Sequence, residues 1–137
     1  MTHEELMQIA VEARNNAYVP YSHFAVGAAL LAKSGKVYRG CNVENAAYGP
    51  TNCAERTAFF TAVCAGEREF EALAICGGPA GKPVSELCAP CGVCRQVIRE
   101  FCPDDFPIVL TTDGTKLYET TLAELLPLSF SADDLNK

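Results

Sequence analysis

Basic residues are scarce in this sequence. Its 137 residues include 11 lysines and arginines against 17 aspartates and glutamates, which gives a formal net charge of −6. A protein that follows the phosphate backbone of nucleic acids usually carries a basic surface. The acidic balance therefore predicts that no nucleic acid is a partner of this chain.

Long hydrophobic runs, a targeting leader and repeats are missing as well. The longest apolar run, residues 24–32, is about half as long as a membrane-spanning helix. The N-terminus has no basic segment ahead of an apolar one, which argues against a secretory leader. These absences predict a cytoplasmic protein with no membrane partner. We find no internal repeat and no low-complexity tract.

The composition fits one globular domain over residues 1–137. Hydrophobic residues make up 49% of the chain, and 10 glycines and 8 prolines punctuate it. A chain of this length can bury a core of its own. It also has eight cysteines. In a protein that is not secreted, cysteines bind metals or pack in the core more often than they form disulfides.

Strands and helices alternate along most of the chain. Hydrophobic periodicity predicts a first helix that Thr2 caps and Pro20 ends. The other predicted helices cover residues 53–65, 90–101 and 121–126, and the predicted strands cover residues 24–32, 37–43, 70–76, 107–111 and 116–120. Strand 24–32 should be buried on both faces, and helix 53–65, apolar almost all round, should be packed between neighbours. This pattern is typical of a layered α/β domain with a mixed sheet.

A Pro-Cys-x-x-Cys segment is the most informative motif. Cys91 and Cys94 follow Pro90, which can open a helix, so both thiols should lie on one face of its first turn. A helix N-terminus favours the thiolate, which is the metal-binding form. Cys53, at the start of another predicted helix, can supply a third sulfur. Three protein ligands leave one tetrahedral position of a Zn²⁺ ion for water, as in catalytic zinc sites.

Neighbouring cysteines leave two other metal sites open. Cys88 forms a second Cys-x-x-Cys with Cys91, so a closed site of four cysteines that includes Cys53 and Cys94 is one alternative. Cys102 follows after a longer gap and gives a loose likeness to an iron–sulfur run, although the gap exceeds the usual spacing. Three further cysteines lie within apolar runs and are predicted core residues: Cys41, Cys64 and Cys76.

Glu55 follows Cys53 by two residues. With Asn52 as the helix N-cap, Glu55 would complete a capping box, which is a purely structural role. The same position also places its carboxylate beside the open coordination site, where it can take a proton from the water and pass it on. We interpret Glu55 as the catalytic proton shuttle.

Arg56 lies on the same helix face as Cys53, three residues further on. Three thiolates outweigh the charge of one Zn²⁺ ion, and a guanidinium that donates to the sulfurs would offset the excess. The alternative is a solvated surface arginine. We expect Arg56 to support the metal ligands from outside the coordination sphere.

Five segments that span nearly the whole chain carry a family resemblance. They are residues 21–29, 42–48, 53–56, 90–96 and 125–127. Together they resemble the zinc-dependent cytidine deaminases, specifically the small homotetrameric enzymes of pyrimidine nucleoside salvage. Deaminases of polynucleotides and nucleotides usually have histidine as the first ligand, whereas this chain has Cys53, as the small class does.

The resemblance implies a fold, an activity and a catalytic site. The fold would be a three-layer α/β/α domain with a central mixed five-stranded sheet. The activity would be hydrolytic deamination of cytidine and 2′-deoxycytidine to uridine and 2′-deoxyuridine, with release of ammonia. One Zn²⁺ per subunit would be bound by Cys53, Cys91 and Cys94, with Glu55 as the catalytic residue and Arg56 beside the ligands.

The resemblance also implies how a nucleoside is held. Asn42 and Glu44 would bind the ribose 3′-hydroxyl, since an amide and a carboxylate can together donate to and accept from one hydroxyl. Phe24 would stack on the pyrimidine, and the backbone of Ala54 would read the base.

Three further positions would act between subunits of a homotetramer. Ala46 and Tyr48 would reach a neighbouring site, and Phe130 in the tail is a further candidate that could equally be a core residue. Cys88 is a departure, because the family does not require a thiol at that position.

Two classes of rival function stay open. A deaminase of a cytosine-containing antibiotic nucleoside shares the Cys-x-Glu and Pro-Cys-x-x-Cys elements, although the Asn-Val-Glu-Asn sequence of residues 42–45 favours an ordinary ribose. The non-enzymatic rivals are a structural zinc module and an iron–sulfur electron carrier.

Overall fold

The computed structural model describes residues 1–136. The helices are α1 (His3–Ala13), α2 (Ala54–Cys64), α3 (Gly92–Phe101), α4 (Leu122–Leu125) and α5 (Ala132–Leu135). The strands are β1 (Phe24–Ala32), β2 (Val37–Cys41), β3 (Phe70–Pro79), β4 (Pro107–Thr111) and β5 (Leu117–Thr121). Within the described residues, no helix combines the length and the apolar character that crossing a bilayer requires.

The five strands form one mixed sheet in the order β2-β1-β3-β4-β5. β3 and β4 run parallel, and the other neighbours are antiparallel. Leu6 of α1 packs with Ala29 on one face of the sheet. Phe59 of α2 and Ile98 of α3 pack with Leu30 on the opposite face. The predicted three-layer α/β/α architecture is confirmed.

Strand β1 is buried on both faces, as predicted. It lies between β2 and β3, and its successive side chains turn to opposite faces. Ala28 enters the core below α2 and α3, whereas Ala29 enters the core below α1. Both side chains are fully buried. The run of small apolar residues thus reflects helices packed on both sides.

Two glycines let these helices approach the sheet closely. A Cβ atom on Gly27 would lie 2.1 Å from the carbonyl oxygen of Ala10 in α1. A Cβ atom on Gly40 would lie 2.1 Å from the carbonyl oxygen of Ala54, the first residue of α2. Gly40 pairs with Ala28, the neighbour of Gly27, so the two glycines face opposite layers.

Several element ends differ from the predictions. α1 ends at Ala13 and continues as a 3-10 turn, Arg14–Asn16, because the Ala17 N–H bonds to the Arg14 carbonyl, well before Pro20. β3 extends to Pro79, because residues 77–79, predicted as a loop, pair with the start of β1. β2 ends at Cys41, two residues earlier than expected.

The prediction that α2 is packed on all sides is wrong for the single chain. One face of the helix covers the sheet, but Phe60 on the other face is 50% exposed. The prediction of core cysteines is likewise correct only for Cys76, which is fully buried. Cys64 is exposed because it lies on the outer face of α2, and Cys41 is partly exposed at the end of β2, an edge strand.

Adding a methyl group at Gly40 tests the close approach of α2. We expect Gly40→Ala to lower the free energy of unfolding by about 1–3 kcal/mol, since the start of α2 must move to make room. Gly49→Ala is the control, because its nearest neighbour would be 4.0 Å away. Thermal melting followed by circular dichroism measures both variants. A Gly40→Ala variant that melts with the parent would contradict the packing described.

Candidate metal centre

Three thiols from the starts of two helices lie together. Cys53 is the N-cap of α2, Cys91 is the N-cap of α3, and Cys94 lies in the first turn of α3. Their sulfur atoms all lie within 4.8 Å of one another, and the sulfurs of Cys53 and Cys91 are 3.8 Å apart. The two helices cover the same face of the sheet, which brings their first turns together.

The backbone at the two N-caps directs the sulfurs. Cys53 has φ −81° and ψ 157°, and Cys91 has φ −67° and ψ 168°, the extended conformation usual for an N-cap. The sequence predicts a helix that begins at Pro90. Because Cys91 takes the N-cap position, α3 begins at Gly92 instead. Cys91 Sγ accepts a bond from the Cys94 N–H at 3.5 Å. Helix N-termini favour thiolates here.

Arg56 contacts the thiol cluster directly. Its Nη2 donates to Cys53 Sγ at 3.2 Å, so it is not a solvated surface arginine. Hydrogen bonds from Cys94 and Arg56 hold the pKa of Cys53 well below its usual value. The pKa of Cys94 is raised, because its thiol donates to Cys53 and is buried. The cluster therefore favours a thiolate at Cys53 first.

Glu55 is a buried carboxyl beside the thiols. It is 4% exposed, and burial raises its pKa to about 7, although a hydrogen bond with Cys94 opposes the shift. The capping box is not formed: Cys53 is the N-cap, and the backbone of Asn52 pairs with Val43 instead. A carboxyl with a pKa near neutrality can both take up and release a proton.

The donor set fits Zn²⁺. Thiolate sulfur is a common zinc ligand, and three protein ligands are typical of catalytic zinc sites. Within residues 1–136, the group of side chains that could hold a metal consists of Cys53, Cys91 and Cys94. Cys88 packs against the core, where burial raises its pKa to about 12, and Cys102 follows the far end of α3. The four-cysteine and iron–sulfur alternatives are therefore not supported.

Asn42 connects the end of β2 to the start of β1. Its Oδ1 accepts a bond from the Val26 N–H at 2.9 Å, and its Nδ2 donates to the Phe24 carbonyl at 2.9 Å. An amide has two N–H groups and two oxygen lone pairs, so these bonds use half of its capacity. Asn42 can therefore hold β1 and a ligand at the same time.

Glu44 lines a cavity of about 400 Å³ together with Tyr21, Tyr48 and other residues of the loops around it. Its Oε1 accepts bonds from the backbone N–H groups of Tyr21 and Ser22, both at 3.1 Å. Its Oε2 accepts a short bond from the Ser22 hydroxyl. These bonds, the Ser22 hydroxyl first, hold the pKa of Glu44 below its usual value. Glu44 is thus a carboxylate at neutral pH.

A pair of backbone hydrogen bonds connects the segment of Asn42 and Glu44 to the segment that precedes Cys53. Val43, between Asn42 and Glu44, exchanges two backbone bonds of 3.0 Å with Asn52. Asn52 directly precedes Cys53 in the chain. The structure thus links the predicted ribose-binding residues to the start of α2.

Phe24, the first residue of β1, packs over Gly77 of β3. A Cβ atom on Gly77 would lie 3.0 Å from both Phe24 Cε1 and Cys88 Sγ, so ring and thiol meet above this glycine. Burial first, and the charge of Glu55 second, raise the pKa of the Cys88 thiol. The Phe24 ring and the Cys88 thiol therefore lie together over Gly77.

The remaining predicted positions differ in exposure. Ala54 is buried at the first position of α2, where its N–H has no partner within the helix. Ala46 and Tyr48 lie in the exposed loop before α2, and Tyr48 is 74% exposed. Phe130 is 58% exposed, which excludes a core position in the single chain.

Two supporting residues were missed by the sequence analysis. Ser22 fixes the Glu44 carboxylate through its hydroxyl and backbone. Arg95 donates to the Pro90 carbonyl at 2.7 Å and to the Leu125 carbonyl at 2.6 Å, which ties the segment before Cys91 to α4. Bonds to backbone carbonyls leave no residue pattern, so position beside the cysteine motif was the one available signal for Arg95.

Comparisons with known proteins agree with this geometry. The profile "Cytidine and deoxycytidylate deaminase zinc-binding region" matches residues 1–110. A cytidine deaminase of Sporosarcina psychrophila is 56% identical over 97% of this chain and 94% of its own. The 1.6 Å crystal structure of cytidine deaminase from Burkholderia pseudomallei matches with a TM-score of 0.85 and 49% identity, over 95% of this chain and 100% of that chain.

A more distant similarity bears on the antibiotic alternative. A blasticidin-S deaminase of Bacillus cereus is 33% identical over 93% of this chain and 91% of its own. This identity is well below the 56% of the Sporosarcina cytidine deaminase. With a profile that spans residues 1–110 and holds all three clustered cysteines, the chain belongs to the cytidine and deoxycytidylate deaminase family, which binds zinc in this region.

Proposed function

We propose that this protein is a zinc-dependent enzyme that hydrolyses cytidine and 2′-deoxycytidine to uridine and 2′-deoxyuridine. The observation that carries the proposal is the convergence of three thiols with one buried carboxyl, Glu55. A structural zinc module needs no such carboxyl, and burying one costs free energy that a fold would otherwise avoid. The similarity to proteins named cytidine deaminase supports the same activity.

The thiols are the proposed zinc ligands, with one ion per subunit on Cys53, Cys91 and Cys94. When bound, zinc supplies Lewis-acid chemistry and lowers the pKa of a coordinated water from about 15.7 to about 7. Arg56 donates to Cys53 Sγ and offsets part of the thiolate charge, which would otherwise weaken the acidity of the metal.

Glu55 is the proposed proton carrier. Its carboxylate takes a proton from the attacking water and delivers it to N3 of the pyrimidine. It then carries the second proton of the water to the amino group on C4, which leaves as ammonia. One water enters and one ammonia leaves, so the carboxylate ends each turnover as it began. Burial raises the pKa of Glu55 to about 7, which suits a group that must both accept and donate a proton.

The proposed nucleoside position follows from the residues around the thiols. Asn42 and Glu44 hold the ribose 3′-hydroxyl, Phe24 stacks on the pyrimidine, and the backbone of Ala54 reads the base. The fixed Glu44 carboxylate supports the ribose assignment, because its remaining lone pairs can accept a hydrogen bond from a hydroxyl. The bare Gly77 supports the stacking assignment, because it leaves room for the Phe24 ring.

A homotetramer in the cytoplasm completes the proposal. Several large apolar side chains of the described residues are at least half exposed in the single chain, and Tyr48, Phe60, Leu128 and Phe130 are among them. Exposed apolar surface of this kind favours association with other copies. In that assembly Ala46 and Tyr48 contribute to a neighbouring site. A reducing cytoplasm suits the three thiols, which must stay reduced to bind zinc.

A substrate assay tests the proposed function. The zinc-loaded protein is incubated with cytidine, deoxycytidine, cytosine, deoxycytidine monophosphate and blasticidin S, and ammonia release is followed. We expect turnover of the two nucleosides, because the proposed site engages both the ribose and the base. Turnover of blasticidin S alone would favour the antibiotic alternative, and no turnover of any compound would favour the structural zinc module.

Replacing the carboxyl tests the role of Glu55. We expect Glu55→Gln to reduce kcat by about 10²–10⁴-fold, the usual contribution of a general acid–base group. The melting temperature and zinc content should match the parent, since an amide fills the same space. Glu69→Gln, at an exposed position, is the control. A Glu55→Gln enzyme with parental kcat would leave Glu55 a structural residue.

Zinc content tests the ligand set. We expect Cys53→Ser to lose most of the single zinc per chain, because serine is a poor zinc ligand. Cys64→Ser and Cys88→Ser should retain it, since neither thiol belongs to the cluster. Elemental analysis of purified protein measures the content. Loss of zinc from Cys88→Ser would instead support the closed four-cysteine site.

A further inference from the structure

Arg14 is a buried arginine on the side of the sheet that faces away from the thiols. It is 7% exposed and belongs to the 3-10 turn after α1. Its Nε donates to the Ala25 carbonyl at 3.0 Å, and its Nη2 donates to the Pro79 carbonyl at 2.7 Å. The guanidinium therefore joins the start of β1 to the end of β3.

This guanidinium has no acidic partner within hydrogen-bonding range among the residues that the structure describes. Burying a charge without a counter-ion costs free energy, and a neutral side chain of similar size could fill the same space. The cost suggests that Arg14 does more than fill a core position.

The two carbonyls that Arg14 binds flank the predicted base-stacking residue. Ala25 follows Phe24 directly, and Pro79 is the register partner of Phe24 across β1 and β3. The Val26 N–H and the Phe24 carbonyl, on either side of Ala25, bond to the Asn42 side chain. Three consecutive residues of β1 are thus held by Arg14 from the layer of α1 and by Asn42, which directly follows β2, from the β2 side of the strand.

Glycines make room for both contacts. A Cβ atom on Gly78 would lie 3.3 Å from Arg14 Nη2, and one on Gly27 would lie 2.8 Å from Arg14 Cβ. The adjacent Gly77 accommodates the Phe24 ring on the opposite face. Successive residues of β3 therefore receive Arg14 on one side of the sheet and Phe24 on the other.

We propose that Arg14 is a positioning residue for nucleoside binding, which acts through the backbone of β1 on Phe24 and Asn42. The inference rests on the proposed deaminase function, because the substrate is the cytosine nucleoside of that reaction. Arg14 touches neither the thiols nor Glu55 in the contacts described, so it sets the position of the base and the ribose but not the chemical step.

Replacing Arg14 by a neutral side chain of similar length tests this role. We expect Arg14→Met to raise KM for cytidine roughly tenfold or more while kcat stays within about threefold, because a binding interaction is lost and the chemical step is kept. The inhibition constant of uridine should rise in parallel. Zinc content should stay at the parental value. Measurements are made well below the melting temperature of each variant.

Two further variants separate a positioning role of Arg14 from a purely structural one. Arg14→Lys retains one donor for the carbonyls and should recover part of the lost affinity, and it serves alone if Arg14→Met does not fold. Arg39→Met, at an exposed arginine of β2, is the matched control and should leave KM unchanged. A lower melting temperature with parental KM in the Arg14 variants would make Arg14 a purely structural residue. Absence of cytidine turnover in the parent would instead overturn the proposed function.

Discussion

The approach of three sulfur atoms at two helix starts is the constraint on which the site depends. Cys53 and Cys91 occupy N-cap positions, so their sulfurs are directed by backbone that must be extended there. The helices can meet because both pack on one face of the sheet, and Gly40 lets α2 lie against β2. Three thiolates this close repel one another, and a cation removes that cost. Arg56 supplies part of the compensation.

The two helix layers carry different groups of functional residues. The layer of α2 and α3 carries the thiols and Glu55, where the chemistry is proposed. The layer of α1 carries Arg14, which reaches only backbone of β1 and β3. Between the layers lies β1, whose backbone bonds both to Arg14 and to the Asn42 side chain. The sheet is therefore both the scaffold of the core and the support of the proposed nucleoside site.

Local signals made the thiol cluster predictable, because Cys91 and Cys94 are separated by less than one helical turn and Cys53 opens another helix. The layered architecture was predictable as well, because hydrophobic periodicity is also a local signal. Backbone contacts between residues far apart in sequence were not predictable. Asn52 was the expected N-cap of α2, but its backbone pairs with Val43 and Cys53 takes that position. The carbonyl groups that Arg14 binds lie far from it in the sequence and have no residue signature. The exposed face of α2 was missed because an apolar helix predicts burial on all sides, whereas Phe60 on its outer face is half exposed.

The coordination of the bound metal tests the central claim most directly. X-ray absorption at the zinc edge of the purified, substrate-free protein measures the number of sulfur ligands. Three sulfurs and one lighter oxygen or nitrogen ligand are the result expected from the cluster of Cys53, Cys91 and Cys94. Four sulfurs would contradict the account, because a closed coordination sphere leaves no position at which water could be activated.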